Sequence, residues 1–420
     1  MKKYLFFALM AVAAIVFTSC KKDDDSPQKP KDVSWTDEQW NTIKTLRKVD
    51  DGGYLYEINY TADYRLDEVL KLNGAYLVDA IDNIKEVILP NSQWTYPFDL
   101  STISTGLGCS CFSAKSGNGY VLGRNYDFPP IDDHSMIVHT PQVKDADGNI
   151  IRHATVGCAD LAPITNLMGV SRGYEDDKMK EFSLYSPYFI LDGINDAGLM
   201  CGLMILEYDG TFQEDPAKLN LLNVMIPRLI LDKCTKVSEA VAMIEDYKVQ
   251  TMFAIADPEH CIDMHFVIAD NYGDRVVVEW VNNNIRVLRP GVDGELAEQS
   301  SDDYVLATNF YLASDAAECP EGVNELGFWR YETLNDLLYA NSNPTAEEAM
   351  DMCKAVKIMQ NDPEAVNAME IMDPTHAHWN DKDSWPWITL WSEVYDTKTL
   401  SMIFCSREEY GKPYTISLEY

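Results

Sequence analysis

Three side chains suited to nucleophilic chemistry lie close together in the chain: the thiol of Cys109, the guanidinium of Arg124 and the carboxylate of Asp127. Between the thiol and the guanidinium, Gly117–Gly119 is typical of a tight turn, and the residues on either side have the composition of strands. The segment therefore predicts a β-hairpin. A buried thiol beside a guanidinium and a carboxylate has the parts of a nucleophilic site, because the cation favours the thiolate.

The register of this hairpin decides which side chains meet. A two-residue turn sets Cys109 opposite Tyr126 or Phe128, and in both registers Arg124 shares the face of Cys109, since side chains alternate with period two. Asp127 points to the other face unless the end of the strand turns it inward. A buried arginine needs a carboxylate partner, so we expect an Arg124–Asp127 pair.

The residues around this hairpin resemble a known family. Cys109–Ala114, followed by Gly123–Asp127, is similar to the start of the mature catalytic domain of the choloylglycine hydrolases, N-terminal-nucleophile amidases that include bile salt hydrolases and penicillin V acylase. The resemblance implies that Cys109 is the nucleophile, exposed by self-cleavage before it, with Arg124 and Asp127 in the active site. Starting the alignment at Cys111 instead loses the serine and alanine matches.

Weaker similarity extends to residue 418. Leu191–Leu199 resembles the segment beside the nucleophile in the family, although Asn195 in this turn is predicted to be structural. Met204 stands where bile salt hydrolases carry asparagine, and its backbone N–H is the implied oxyanion donor. Asn309 matches the second oxyanion donor, and Arg330 the second active-site arginine.

The resemblance implies a reaction as well as residues. It predicts hydrolysis of a linear C–N amide bond with no cofactor, in a four-layer αββα N-terminal-nucleophile fold. The partner would be a small acyl amide: a fatty-acyl amide, an N-acyl amino acid or a conjugated bile acid. The long segment before Cys109 and the methionine at 204 are closer to the acid ceramidase and N-acylethanolamine amidase branch of relatives.

The N-terminal residues read as an export signal. Residues 1–19 combine two lysines with an apolar stretch too short to span a membrane stably, and Cys20 follows as a lipoprotein acylation site. Residues 20–33 form a polar tether. We expect a protein of the cell envelope, attached through lipid on Cys20; an ordinary secretory signal with an incidental cysteine is the alternative.

Charge and cysteine content exclude other classes. The 420 residues carry a formal net charge of −33, which disfavours binding to nucleic acid or to anionic lipid surfaces. The cysteines after Cys20 show no paired spacing typical of disulfide scaffolds or zinc sites, so most are expected to be core thiols.

The pattern of elements predicts an α+β protein with stacked antiparallel sheets. Residues 34–108 form a mostly helical prosegment, with helices expected at 35–49 and over 66–88 and a strand at 55–60. Residues 109–420 form the catalytic domain, with strand pairs first and a helical region near 219–247. A hairpin is expected from Met264 to Trp280, and the closing strands are expected at 388–395, 399–406 and 413–418.

Two alternatives remain open from the residues alone. His376 and His378 on one strand face would project two imidazoles together, as a metal site requires, but the surrounding acidic residues lie in loops and do not favour one. The other alternative is a non-catalytic envelope lipoprotein that keeps the fold and binds an acyl or sterol ligand.

Overall fold

A computed structural model describes most of the chain. The described residues are 28–31, 33–92, 108–128, 135–162, 165, 177–206, 211, 213–251, 263–291, 303–316, 325–358, 388–407 and 409–418. The chain divides into two units, Met1–Val33 and Ser34–Tyr420, and all the elements below belong to the second. No helix among the described residues is both long and apolar enough to cross a membrane.

Short helices and many strands alternate along the chain. The α-helices are α1 (Asp37–Ile43), α2 (Leu66–Lys71), α3 (Leu77–Ile88), α4 (Asp177–Phe182), α5 (Ile226–Lys233), α6 (Val237–Glu245), α7 (Glu325–Ala340) and α8 (Ala346–Ala355). The 3-10 helices are Ser183–Phe189 and Asn223–Met225.

The strands of the first half are β1 (Arg47–Lys48), β2 (Leu55–Asn59), β3 (Gly108–Ser116), β4 (Gly119–Phe128), β5 (Ser135–Thr140), β6 (Val143–Lys144), β7 (Ile150–Arg152), β8 (Thr155–Asp160), β9 (Ile190–Asn195) and β10 (Met200–Leu206). Those of the second half are β11 (Asn220–Leu222), β12 (Lys248–Gln250), β13 (Asp263–Ala269), β14 (Arg275–Val281), β15 (Asn284–Leu288), β16 (Tyr304–Ala307), β17 (Ile388–Asp396), β18 (Ser401–Ser406) and β19 (Tyr414–Ser417).

Two large sheets pack face to face, with helices on their outer sides. In the described part of the chain, one sheet has nine strands in the order β1-β2-β5-β8-β9-β10-β13-β14-β15 and the other six in the order β16-β3-β4-β17-β18-β19. Strand β10 lies against β3 and β4, α5 covers β9 and β10, and α7 and α8 cover β3, β4 and β17. This is the four-layer αββα, α+β architecture predicted from the sequence.

The outer helices of the six-stranded sheet are held by an apolar core. Phe112 of β3 and Val394 of β17 pack there with Leu334 and Leu338 of α7 and Cys353 of α8. Every described cysteine is buried with a free thiol, as expected of core residues. Burying these side chains fixes the β3–β4 hairpin between a helical layer and the second sheet.

The segment 34–92 is built into the nine-stranded sheet. Its helix α1 begins at Thr36 with a capping box to Gln39. Strand β2 runs parallel to β5, with Leu55 opposite Ser135 and Asn59 opposite His139. Helices predominate in this segment, and β1 and β2 form one edge of the sheet.

Two of the predicted helices are interrupted. The helix expected over 66–88 is wrong as a single element, because Asn73 adopts a left-handed φ of +59° and separates α2 from α3. The region near 219–247 begins with β11 and then divides into α5 and α6. There Asn195 donates to the carbonyls of Leu231 and Cys234 and so caps the end of α5 from another part of the chain.

Candidate active site

The β3–β4 hairpin sets Cys109 and Arg124 side by side, in one of the two predicted registers. Gly117 occupies the turn with φ of +61°, and Cys109 lies opposite Tyr126. Cys111 is then opposite Arg124, so all four side chains share the face turned toward the nine-stranded sheet. Arg124 Nη2 is 3.6 Å from the Cys109 sulfur.

Arg124 is completely buried and makes its ion pairs across the sheets. Its Nη1 donates to Asp192 Oδ2 at 2.8 Å and lies 3.3 Å from Glu393 Oε1, while Nε donates to the Leu203 carbonyl at 3.1 Å. The expected pair with Asp127 is wrong. Strict alternation along β4 turns Asp127 to the opposite face, so the carboxylates that reach Arg124 come from β9 and β17.

Asp127 faces the helical layer and pairs with Arg330. Arg330 Nη1 donates to Asp127 Oδ2 at 2.6 Å, and Thr389 on β17 donates to the other carboxylate oxygen. The second amino group of Arg330 donates to Asn309 Oδ1 at 2.6 Å. Helix α7 therefore carries a buried cation that joins Asp127 to Asn309.

Asn309 contacts the backbone of the candidate nucleophile. Its Oδ1 accepts the Cys109 N–H at 2.7 Å, and its Nδ2 donates to the Ile205 carbonyl at 2.7 Å. Met204, the residue before Ile205 in β10, is buried and lies opposite His265 of β13. The structure thus brings Cys109, Arg124, Asp127, Asn309 and Arg330 together, and sets Met204 next to the residue that Asn309 contacts.

The peptide bond between Gly108 and Cys109 passes between the two arginines. A Cβ added to Gly108 would lie 3.1 Å from Asp127 Cβ and 3.4 Å from Arg330 Nη1, so a larger residue would press on the ion pair. Cys109 directs its sulfur to Arg124 on the other face. A cation thus borders each side of this peptide bond.

Two buried side chains, a histidine and a glutamate, contact the backbone of the segment that carries Asn309. His265 Nε2 lies 2.6 Å from the Thr308 carbonyl, and its Nδ1 lies 3.2 Å from Glu279 Oε2. Glu279 also accepts the N–H groups of Leu312 and Ala313. These contacts hold the backbone on both sides of Asn309.

Burial and the neighbouring charges both shift the pKa values of the site residues. Burial raises the pKa of the Cys109 thiol, Arg124 opposes that rise, and the Asp127 carboxylate adds to it. Burial also raises the pKa of Asp127, against the lowering effect of Arg330 and Thr389. Burial lowers the pKa of Arg330, whereas Asp127 raises it. In the uncut chain the thiol is therefore held mainly in its neutral form.

Sequence reasoning missed several residues of this site. Asp192 and Glu393 lay in segments already matched to the family but had no role assigned, and Thr389, His265 and Glu279 were not singled out. The signal that could have found the first two is the presence of carboxylates in otherwise apolar strands, because a buried acid needs a cation. Asn195 has the structural role predicted: its Oδ1 accepts two backbone N–H groups of its own turn.

The predicted metal alternative stays a prediction, because His376 and His378 lie outside the described residues. Within the part of the chain that the structure describes, no three His, Cys, Asp or Glu side chains group together as a metal site requires. Cys20 also lies outside the described residues.

Comparison with known proteins gives a family match over part of the chain. Residues 109–311 match the sequence model of the linear amide C–N hydrolases, choloylglycine hydrolase family. A search of curated proteins finds no match.

Solved structures that resemble the chain include a mutant of the conjugated bile acid hydrolase from Clostridium perfringens, with 12% identity, a TM-score of 0.48 and coverage of 74% of this chain and 92% of that one. Penicillin V acylase from Agrobacterium tumefaciens has 15% identity, a TM-score of 0.37 and coverage of 73% and 84%. The Caenorhabditis elegans ortholog of N-acylethanolamine-hydrolyzing acid amidase has 13% identity, a TM-score of 0.34 and coverage of 68% and 92%.

The sequence match covers both strands of the hairpin and Asn309, whose side chains converge on the Gly108–Cys109 bond. Residues 109–311 of the protein therefore match the choloylglycine hydrolase family, and the protein is a hydrolase of linear amide C–N bonds.

Proposed function

We propose that the protein is a cysteine N-terminal-nucleophile amidase that cleaves itself before Cys109 and then hydrolyses N-acyl amides with an apolar acyl group. The observation that carries this proposal is the convergence of Arg124, Asp127, Asn309 and Arg330 on the two sides of the Gly108–Cys109 bond. These are the residues that family resemblance selected from the sequence.

Self-cleavage would use the same residues as later catalysis. The Cys109 sulfur attacks the Gly108 carbonyl carbon, its proton passes to the departing Cys109 nitrogen, and a thioester replaces the amide. Water then hydrolyses the thioester, leaving a carboxylate on Gly108 and both a thiol and an α-amine on Cys109. The hydrogen bond from Cys109 N–H to Asn309 holds the nitrogen that departs.

In the mature enzyme, the new α-amine is the general base. Its unperturbed pKa near ~7.7–8.0 lets it take the thiol proton close to neutral pH. Breaking the Gly108–Cys109 bond frees this amine; the proposed role of Asp127 is to orient it, while Arg124 supports the thiolate. Asn309 and the Met204 N–H are the proposed oxyanion donors, each typically worth about 3–4 kcal/mol of barrier. The protonated amine delivers its proton to the leaving group, and water resolves the acyl-enzyme.

The substrate class is inferred from what the names of similar proteins share. Bile acid conjugates, penicillin V and N-acylethanolamines are all amides that join an apolar acyl group to a more polar amine. The apolar residues 203–206, which include Met204, are all buried in β10. In the uncut chain these residues are part of the hydrophobic core. The proposed preference for an apolar acyl group therefore rests on the similarity to the family.

A substrate panel tests this function. Hydrolysis should strengthen from short to medium or long acyl chains, because burial contributes about 0.8 kcal/mol per methylene. We expect similar rates for taurine, glycine and ethanolamine as leaving groups, since both amino groups of buried Arg330 are already bonded to Asp127 and Asn309. Activity confined to conjugated bile acids would instead identify a bile salt hydrolase, and a response that is flat in acyl length would contradict the proposal.

After cleavage, we expect residues 34–92 to stay bound to the catalytic fragment. Strand β2 pairs with β5, Tyr60 OH donates to the Leu184 carbonyl at 3.0 Å, and Tyr64 OH donates to Asp232 at 2.7 Å. Size-exclusion chromatography of the processed protein should give one peak that contains both fragments by mass. Separation of the fragments without denaturant would contradict this prediction.

The expected association of the two fragments also affects where the catalytic fragment is located. We propose that Cys20 is lipidated and attaches the protein to the cell envelope; the lipid would then belong to the N-terminal fragment. The catalytic fragment would stay at the membrane only through its noncovalent contacts with residues 34–92.

A further inference from the structure

Glu393 is a second carboxyl group beside Arg124, which already has Asp192 as an ion-pair partner. It lies on β17 directly opposite Arg124 and is completely buried. Its Oε1 is 3.3 Å from Arg124 Nη1, and its Oε2 has no hydrogen-bond partner among the described residues. Nothing in the proposed reaction uses this group.

Asp192 is the better-satisfied partner of the arginine. Its Oδ2 accepts Arg124 Nη1 at 2.8 Å, and its Oδ1 accepts both the Tyr395 hydroxyl and the Cys158 N–H. Both oxygens of Asp192 thus have donors, whereas Glu393 Oε2 has none among the described residues. One carboxylate balances the charge of Arg124, and a second ionised carboxylate buried beside the first would be uncompensated, which is costly.

We propose that Glu393 is a positioning residue that carries a proton in the working enzyme. As a neutral acid it packs against Arg124 without cancelling the attraction of the guanidinium for the Cys109 thiolate. When Glu393 loses the proton at higher pH, the added negative charge opposes thiolate formation. The inference rests on the proposed role of Cys109 as nucleophile and adds a pH limit to it.

The direction of the pKa shift agrees with this geometry. Burial raises the pKa of Glu393 well above its usual value, the charge of Asp192 raises it further, and Arg124 opposes the rise. A raised pKa means that the neutral form of Glu393 persists to higher pH than in an exposed glutamate and that ionisation follows as the pH increases. The negative charge on Glu393, which opposes formation of the Cys109 thiolate, therefore appears as the pH increases.

Other titratable groups also interact with Glu393. They lie on the surrounding elements and on its own strand: Cys111 of β3, Arg124 of β4, Cys158 of β8, Asp192 of β9, Cys353 of α8, Tyr395 of β17 and Cys405 of β18. Burial raises the pKa of each of these thiols and of the tyrosine, so burial favours their neutral forms.

The test compares Glu393→Gln, which imitates the neutral acid, with the wild type across pH. Processed protein is treated with iodoacetamide, and the alkylation rate of Cys109 is followed by peptide mass spectrometry. The ratio of the variant rate to the wild-type rate should rise roughly tenfold from the acid to the alkaline end of the range, since a nearby like charge is absent in the variant. Turnover of an N-acyl amide should show the same trend.

Glu181→Gln is the matched control, because Glu181 is also a buried carboxyl whose pKa burial raises, but its partners are Trp35 and Ser92. Its ratio should be flat with pH. A flat ratio for Glu393→Gln, with Cys109 reactive, would overturn the inference and leave the proposed function intact. If Cys109 of the wild type is not a reactive N-terminus, both fall. Should Glu393→Gln not accumulate, Glu393→Met, also uncharged and similar in size, carries the same expectation.

Discussion

The Cys109→Ala variant is expected to accumulate as one uncut chain without amidase activity. Cys109 is the thiol within reach of Arg124 Nη2, and its own N–H is the group that Asn309 holds. Without the sulfur, neither the Gly108 carbonyl nor an acyl amide has a nucleophile. Intact mass and hydrolysis of an N-acyl amide by the purified variant measure the two losses separately.

Cys111→Ala is the control for this prediction, since Cys111 lies two residues away on the same face of β3 and is equally buried. Burial raises the pKa of Cys111 well above its usual value. We expect the variant to cleave itself and turn over substrate, with a stability loss of about 1 kcal/mol for the removed core atom. An inactive Cys111→Ala beside an active Cys109→Ala would show that the nucleophile is Cys111.

Replacing Arg330 by methionine should have the second largest effect. Asp127 is completely buried, and removing one partner of a buried ion pair typically costs about 3–5 kcal/mol. The midpoint of urea unfolding should therefore fall. Self-cleavage should also slow, because Asn309 loses the Nη2 donor that orients its Oδ1 toward the Cys109 N–H.

Two comparisons sharpen this result. Arg286→Met removes the partly exposed partner of Asp315, and such surface pairs are worth about 0–1 kcal/mol, so that variant should unfold near the wild-type midpoint. The double variant Asp127→Asn, Arg330→Met should lose less than the sum of the single losses. Strict additivity would mean that the two side chains do not stabilise each other.

The sequence was sufficient where a local pattern determines the geometry. The turn at Gly117 and the alternation of strand residues predicted that Cys109 and Arg124 share a face, and they do. The hairpin from Met264 to Trp280 and the closing strands from residue 388 onward were also predicted close to their observed bounds. In each case neighbouring strands are consecutive in the chain or separated by clear turn residues.

The partners of the buried charges could not be predicted in this way. Asp192 reaches Arg124 from the other sheet, and Arg330 reaches Asp127 from a helix far along the chain. Which acid pairs with which arginine depends on how the two sheets and α7 pack, and no local periodicity reports that packing. The alternation rule alone correctly separated Asp127 from Cys109, but the need to neutralise Arg124 favoured the wrong partner.

The break between α2 and α3 was not predicted for another reason. Apolar residues continue at helical spacing through the break, so the hydrophobic pattern alone favours one helix. Asn73 adopts the left-handed conformation there, and its side chain and carbonyl both accept hydrogen bonds from Asn220. A contact with a distant residue outweighs the local helical preference.

The most direct test of the central claim is the mass and N-terminal sequence of the purified full-length protein. We expect a large fragment that begins Cys109-Ser110-Cys111-Phe112, together with a smaller fragment that ends at Gly108. A single uncut chain that hydrolyses N-acyl amides would contradict it, because Cys109 would then have no free α-amine to act as the base.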